Sequence, residues 1–159
     1  MTWNILAWLL PAVMGALLLS AGIEDARTRE IANAKNAAIA LLAPLWWVAI
    51  GLDPWPGMAI QLSVAALAFA FFVGAFALGQ MGGGDVKLIG ALALWLTPAN
   101  LISMLMVMAI VGGVLTAVFL IEHRVKGGGD RRAIEVPYGV AIAVAGLLCL
   151  REPLLNQFL

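Results

Sequence analysis

The chain has 159 residues, 64% hydrophobic and only 11% charged, with a mean hydropathy of +1.02. Soluble domains run about 45–50% apolar and about 25% charged, so the composition excludes an ordinary globular domain and describes a compact integral membrane protein. Nine basic residues balance nine acidic ones, leaving no basic stripe for nucleic acid, while a single cysteine (Cys149) and a single histidine (His123) argue against a disulfide or a Cys- or His-rich metal site.

Six apolar segments follow one another, over residues 3–23, 36–52, 57–79, 86–97, 101–121 and 137–150. The first has no Lys or Arg before it and is too long for the apolar core of a signal peptide, so it reads as a membrane helix. Asp53-Pro54-Trp55-Pro56-Gly57 divides the second from the third. Gly82-Gly83-Gly84 and Thr97-Pro98-Ala99-Asn100 bracket the fourth. A span needs about 20 apolar residues. The fourth segment offers about 12, or ~18 Å of helix, which raises a re-entrant hairpin as the alternative to a crossing.

Charge favours the crossing. With six spans, the loops holding Arg27, Arg29 and Lys35, then Lys87, then Arg124, Lys126, Arg131 and Arg132 share one side, and of nine basic residues only Arg151 lies opposite. The positive-inside rule puts those loops in the cytoplasm and both termini outside. Trp3, Trp55 and Trp95 then fall at the outer ends of their helices, where an aromatic belt belongs, and Trp46 and Trp47 lie in the outer half of the second. The expected architecture is an all-α bundle of six transmembrane helices forming one domain over residues 1–159.

Ionisable residues near membrane depth are the candidates for chemistry. Asp25 follows the first segment and Asp85 precedes the fourth, and two intervening crossings return them to the same leaflet. Two carboxyls that share a proton are the minimum equipment of an aspartic protease: the ionised one deprotonates water and the protonated one polarises the scissile carbonyl. Each also has a plain structural reading, Asp25 as an interfacial charge paired with Arg29 one turn on, Asp85 as a helix N-cap. Gly82, Gly83 and Gly84 would form an open wall beside Asp85, where a substrate has to lie extended. Gly127-Gly128-Gly129-Asp130 repeats the pattern among basic residues and reads as a solvated loop. By helix dipoles, the shared proton is expected on Asp25, at the end of one helix, with Asp85, at the start of another, as the ionised base.

Together the segments resemble the type IV prepilin peptidases. Asp25-Ala26-Arg27-Thr28-Arg29-Glu30-Ile31-Ala32-Asn33 is similar to the family's first-aspartate motif. Gly82–Leu88 is similar to its Gly-x-Gly-Asp-x-Lys-Leu motif, and Val136-Pro137-Tyr138-Gly139 to the start of its last core helix. The resemblance implies an intramembrane aspartic endopeptidase with Asp25 and Asp85 as the catalytic pair, cutting prepilin leaders at the cytoplasmic face of a bacterial inner membrane without a cofactor. Ala32 stands where the family often has Pro. The paired Cys-x-x-Cys elements of the long forms are absent, so the chain is similar to the short peptidases of tight-adherence (Flp-type) pilus systems, and peptidase activity without N-methyltransferase activity is expected.

Lys87 would snorkel to headgroups or bias the acid pair. Arg27 and Arg29 read as topology determinants, His123 as an interfacial residue, and Met104, Met106 and Met108 as packing or lipid-facing side chains. The small-residue spacings Ala70–Gly74 and Ala75–Gly79 would serve the bundle's own core or a homo-oligomer. The competing class is a small transporter or a scaffold subunit of a pilus or secretion system, against which stands the lack of any carboxylate near the middle of a span.

Overall fold

The computed structural model describes residues 2–125 and 136–155, with side chains over 5–125 and 136–150. Its helices are α1 (Thr2–Thr28), α2 (Asn33–Ala49), α3 (Ala59–Ala77), α4 (Gly83–Ala93), α5 (Pro98–Val125) and α6 (Tyr138–Leu155), with one turn at Pro54–Met58 leading into α3. Among the described residues there is no strand. Three stretches, Ile5–Thr28, Pro54–Ala77 and Pro98–Val125, are long and apolar enough to cross a membrane. Large apolar side chains such as Leu41, Leu67, Phe71 and Ile110 stay exposed. A bundle apolar on its outside as well as its inside suits lipid as its solvent.

Side-chain contacts fix the helix directions. At one end, Asp25 in the last turns of α1 meets Val140 in the first turn of α6, and Asn36 in the first turns of α2 reaches Gly84 in the first turn of α4. At the other end, Trp47 near the end of α2 reaches Leu94 just past α4, and Gln61 near the start of α3 reaches Ala93 and Leu96. So α4 runs with α2 and against α3. It does not double back on itself as a re-entrant hairpin would.

Two helix ends differ from the sequence reading. α1 continues to Thr28, because the charged residues after Ile23 still sit in good helical register, so Asp25 lies inside the helix rather than after it. α4 starts at Gly83, and its N-cap is Gly82 with extended backbone. Asp85 is therefore not the cap but a residue of the first turn.

α4 is short, 11 residues or about 16 Å, and it is the most enclosed helix: Val86 and every residue from Leu88 to Ala93 are buried. α2, α3 and α6 pack around it. Phe69 of α3 sits on Gly90, where a Cβ would fall 2.6 Å from its ring. The indoles hold the far end. Trp95 Nε1 donates to Ile39 O and Trp47 Nε1 to Leu94 O, each at 2.8 Å, while Trp46 stacks on Trp95 at 5.9 Å. This corrects the aromatic-belt reading for Trp95, which is buried together with Trp46 and Trp47. Leu94 O is a helix-end carbonyl that needs a donor, while Ile39 O lies inside α2 and takes the Trp95 indole as a second one, so both indole N–H groups are satisfied within the bundle. Trp55 alone of the described belt candidates is fully outward, 82% exposed.

The spacings on α3 face away from the core: Gly74 and Gly79 have open space beside them. Met104 and Met108 are buried and Met106 is exposed, as packing and outward-facing residues respectively.

Candidate active site

The α1–α2 corner places the first carboxyl. Arg29 adopts a left-handed φ of 59° immediately after α1 and its N–H donates to Asp25 O at 3.0 Å, which ends the helix and reverses the chain. A left-handed conformation costs a non-glycine residue about 1–2 kcal/mol. The corner is tied down from both sides. Glu24 pairs with Lys35 at 2.9 Å and accepts the Ala32 N–H at 3.1 Å, and Lys35 also donates to Ser20 O. The Arg29 guanidinium lies over the Phe119 ring of α5, 5.2 Å from its centre. Asp25 is thus not held in the i, i+4 ion pair of the plain structural reading; among the described residues the ion pair at this corner is Glu24–Lys35.

Asp25 turns inward instead and is 4% exposed. Its Oδ2 accepts the Val140 N–H at 3.2 Å. Val140 is in the first turn of α6, and its N–H is shared between Asp25 and Pro137 O, also at 3.2 Å. Gly139 makes the approach possible: a Cβ there would lie 2.7 Å from Asp25 Cγ and 2.8 Å from Ile31 Cδ1. The Pro137-Tyr138-Gly139 start of α6 is therefore a seat for this carboxyl. Tyr138 is in turn seated on Gly112 of α5, its hydroxyl 3.4 Å from Thr116 Oγ1.

Asp85 comes from the first turn of α4 and folds back over Gly82, whose Cβ position lies 3.1 Å from Oδ2. The glycines ahead of it do not take up left-handed backbone. Gly82 is extended and Gly83 and Gly84 are helical. What they contribute is absence of side chains, with Ile31 against Gly84 and Phe76 against Gly83.

Asp25 and Asp85 line one cleft of about 280 Å³ together with Arg29, Glu30, Ile31, Asn33 and the three glycines. The structure thus gathers Asp25, Asp85, Gly82, Gly83 and Gly84, as the sequence predicts. Lys87 goes elsewhere. Its Nζ donates to Asn33 Oδ1 at 2.8 Å, and it lines a neighbouring cleft between α2 and α4. The repeat at 127–130 lies outside the described residues.

Both carboxyls sit at the positive end of a helix, Asp85 at its own and Asp25 at that of α6. Asp25 also stays in the last turn of α1, so the α6 contact offsets the dipole contrast used to assign the shared proton without removing it. Sequence reasoning also missed Val140, Asn36 and the Glu24–Lys35 tie. The Pro-Tyr-Gly motif was a visible signal for the first; the other two carry none stronger than helical spacing.

Two carboxyls thus face one cleft beside a run of glycines in an all-helical bundle with membrane-spanning helices. The family model described as the type IV leader peptidase family matches residues 12–121, and the chain belongs to that family. It is a leader-peptidase-type protease. No curated protein and no solved structure matches the chain.

Proposed function

We propose that the protein removes the leader of a type IV or Flp-like prepilin at the cytoplasmic face of the bacterial inner membrane, with Asp25 and Asp85 activating water between them. One carboxylate takes a proton from water as it attacks the scissile carbonyl, and the protonated partner donates to the carbonyl oxygen. The tetrahedral intermediate then breaks its C–N bond as a proton passes to the departing amine. Close like charges favour a singly protonated pair, the state this chemistry requires. The observation that carries the reading is that residues 60 positions apart line one cleft with the glycine wall between them. Peptidase activity alone, without methyl transfer, is part of the proposal.

The test is co-expression with a prepilin, read as a gel shift. Asp25→Ala and Asp85→Ala each abolish processing while the protein still accumulates in the membrane, and Asp130→Ala does not. An active Asp85→Ala with a dead Asp130→Ala reverses the choice between the two glycine runs. Sidedness is tested separately, by thiol labelling of single cysteines at Thr28 and Trp55 in a Cys149→Ser background. Labelling of residue 28 only from outside the cell excludes cytoplasmic cleavage.

A further inference from the structure

A second cleft, of about 460 Å³, runs between α2, α3 and α4. Asn33 lines both this cleft and the acid cleft, so the two adjoin at that side chain. Beyond Asn33, Asn36 and Lys87 its walls are apolar: Ala37 and Ala40 on α2, Phe69 on α3, Gly90 and Leu94 on α4. From Lys87 to Leu94 the α4 wall is about 10 Å long, some two helical turns.

One polar group in this cleft is unaccounted for. Asn36 lines it and is 4% exposed. Its Nδ2 donates to Gly84 O at 3.3 Å, which sets the orientation of the amide, and the opposite atom, Oδ1, is buried with no donor. Turning the amide over would set oxygen against the Gly84 carbonyl and leave Nδ2 without an acceptor. Buried acceptors are almost always satisfied, and one that is not calls for a partner supplied from outside.

A membrane-embedded substrate supplies such a donor. A helix must open at the bond to be cut, and each opened turn frees main-chain N–H groups that find no water in lipid. We infer that the α2–α4 cleft seats the apolar segment adjoining the scissile bond, and that Asn36 Oδ1 accepts a main-chain N–H released where this segment unwinds beside the acid cleft. Asn36 is then a substrate-positioning residue, joined through Gly84 to the turn that carries Asp85. The inference rests on the proposed peptidase activity and adds the place where the substrate lies.

The test uses the full chain and a co-expressed prepilin. A photo-crosslinking amino acid replaces Leu94, which lines the cleft, or Leu41, an outward α2 residue, in an Asp85→Asn background that holds the substrate uncut. Cross-linking from 94 and not from 41 is the expected result. Cross-linking from 41 and not from 94, or from neither while the wild type processes the prepilin, overturns the cleft assignment and leaves the peptidase reading standing. Failure of the wild type to process any prepilin overturns both. In purified enzyme, Asn36→Leu lowers kcat/KM about tenfold, the scale of one hydrogen bond, and Asn36→Asp, which keeps an acceptor, recovers part of it. An Asn36→Leu enzyme with unchanged kcat/KM removes Asn36 from the inference. An Asn36→Asp enzyme that recovers none of the loss assigns it to the Nδ2 contact with Gly84 O, a purely structural role, and overturns it too.

Discussion

The Asp25 carboxylate and the Val140 N–H, 115 residues apart in the chain, meet at 3.2 Å and join the end of α1 to the beginning of α6. Substitutions at Asp25 therefore have two separable effects. Asp25→Asn keeps an oxygen for Val140 and loses the acid, so cleavage disappears with little change in thermal unfolding in detergent. Asp25→Leu removes this contact as well and leaves the amide only Pro137 O, which costs about 0.5–1.5 kcal/mol, the net worth of one hydrogen bond. A melting temperature equal for the two variants shows that the Val140 contact contributes nothing to stability.

Gly139→Ala tests the same seat from the other helix. The added methyl would stand 2.7 Å from Asp25 Cγ and 2.8 Å from Ile31 Cδ1, and one of these groups has to move. Overpacking of this kind costs about 1–3 kcal/mol, and a displacement of about 1 Å in a catalytic group lowers turnover on the order of 100-fold. Gel-based cleavage rates and a melt on the same preparation read both effects. Wild-type cleavage by Gly139→Ala refutes the close approach.

At the opposite end of the bundle, Trp95→Phe keeps the stacked ring and removes the donor to Ile39 O. Stability falls by about 0.5–1.5 kcal/mol, the net worth of one hydrogen bond. Trp55→Phe, at an 82% exposed position, leaves the melt unchanged. Equal melts for the two variants contradict the clamp role of Trp95.

The Glu24–Lys35 tie holds the corner that presents Asp25, and its side chains are 31% and 23% exposed. Partly exposed pairs of this kind contribute little to stability, so the effect is on geometry. Lys35→Glu reduces cleavage a few-fold, and Glu24→Lys combined with Lys35→Glu restores it. Failure of the swap to restore activity assigns the loss to the Lys35 contact with Ser20 instead.

Much of this molecule is legible in its sequence, for reasons that particular residues make plain. Apolar runs long enough to span lipid announce themselves, and the three glycines mark the approach to Asp85. Helix ends are harder. Nothing in Glu24–Thr28 forbids helix, so α1 runs on, and glycine is so poor a helix former that Gly83 and Gly84 do not look like the first turn of α4. Tryptophan suits both a membrane interface and a buried hydrogen bond, and only the proximity of Ile39 and Leu94 decides for Trp95 and Trp47. The Val140 amide is a main-chain donor, and its sequence signature is only the Pro137-Tyr138-Gly139 motif that clears its way, while Asn36 and the Glu24–Lys35 tie have none beyond helical spacing.

The Asp25–Val140 contact also has a consequence for the order of synthesis. A ribosome delivers the chain from Met1 onward, and both aspartates are in place when Asp85 has emerged. The seat that fixes the first of them is made more than 50 residues later (Gly139 against Asp85). A nascent chain with α1 to α5 already inserted holds both acids without the seat for Asp25, so on the proposed two-aspartate mechanism hydrolysis waits for the last helix to dock.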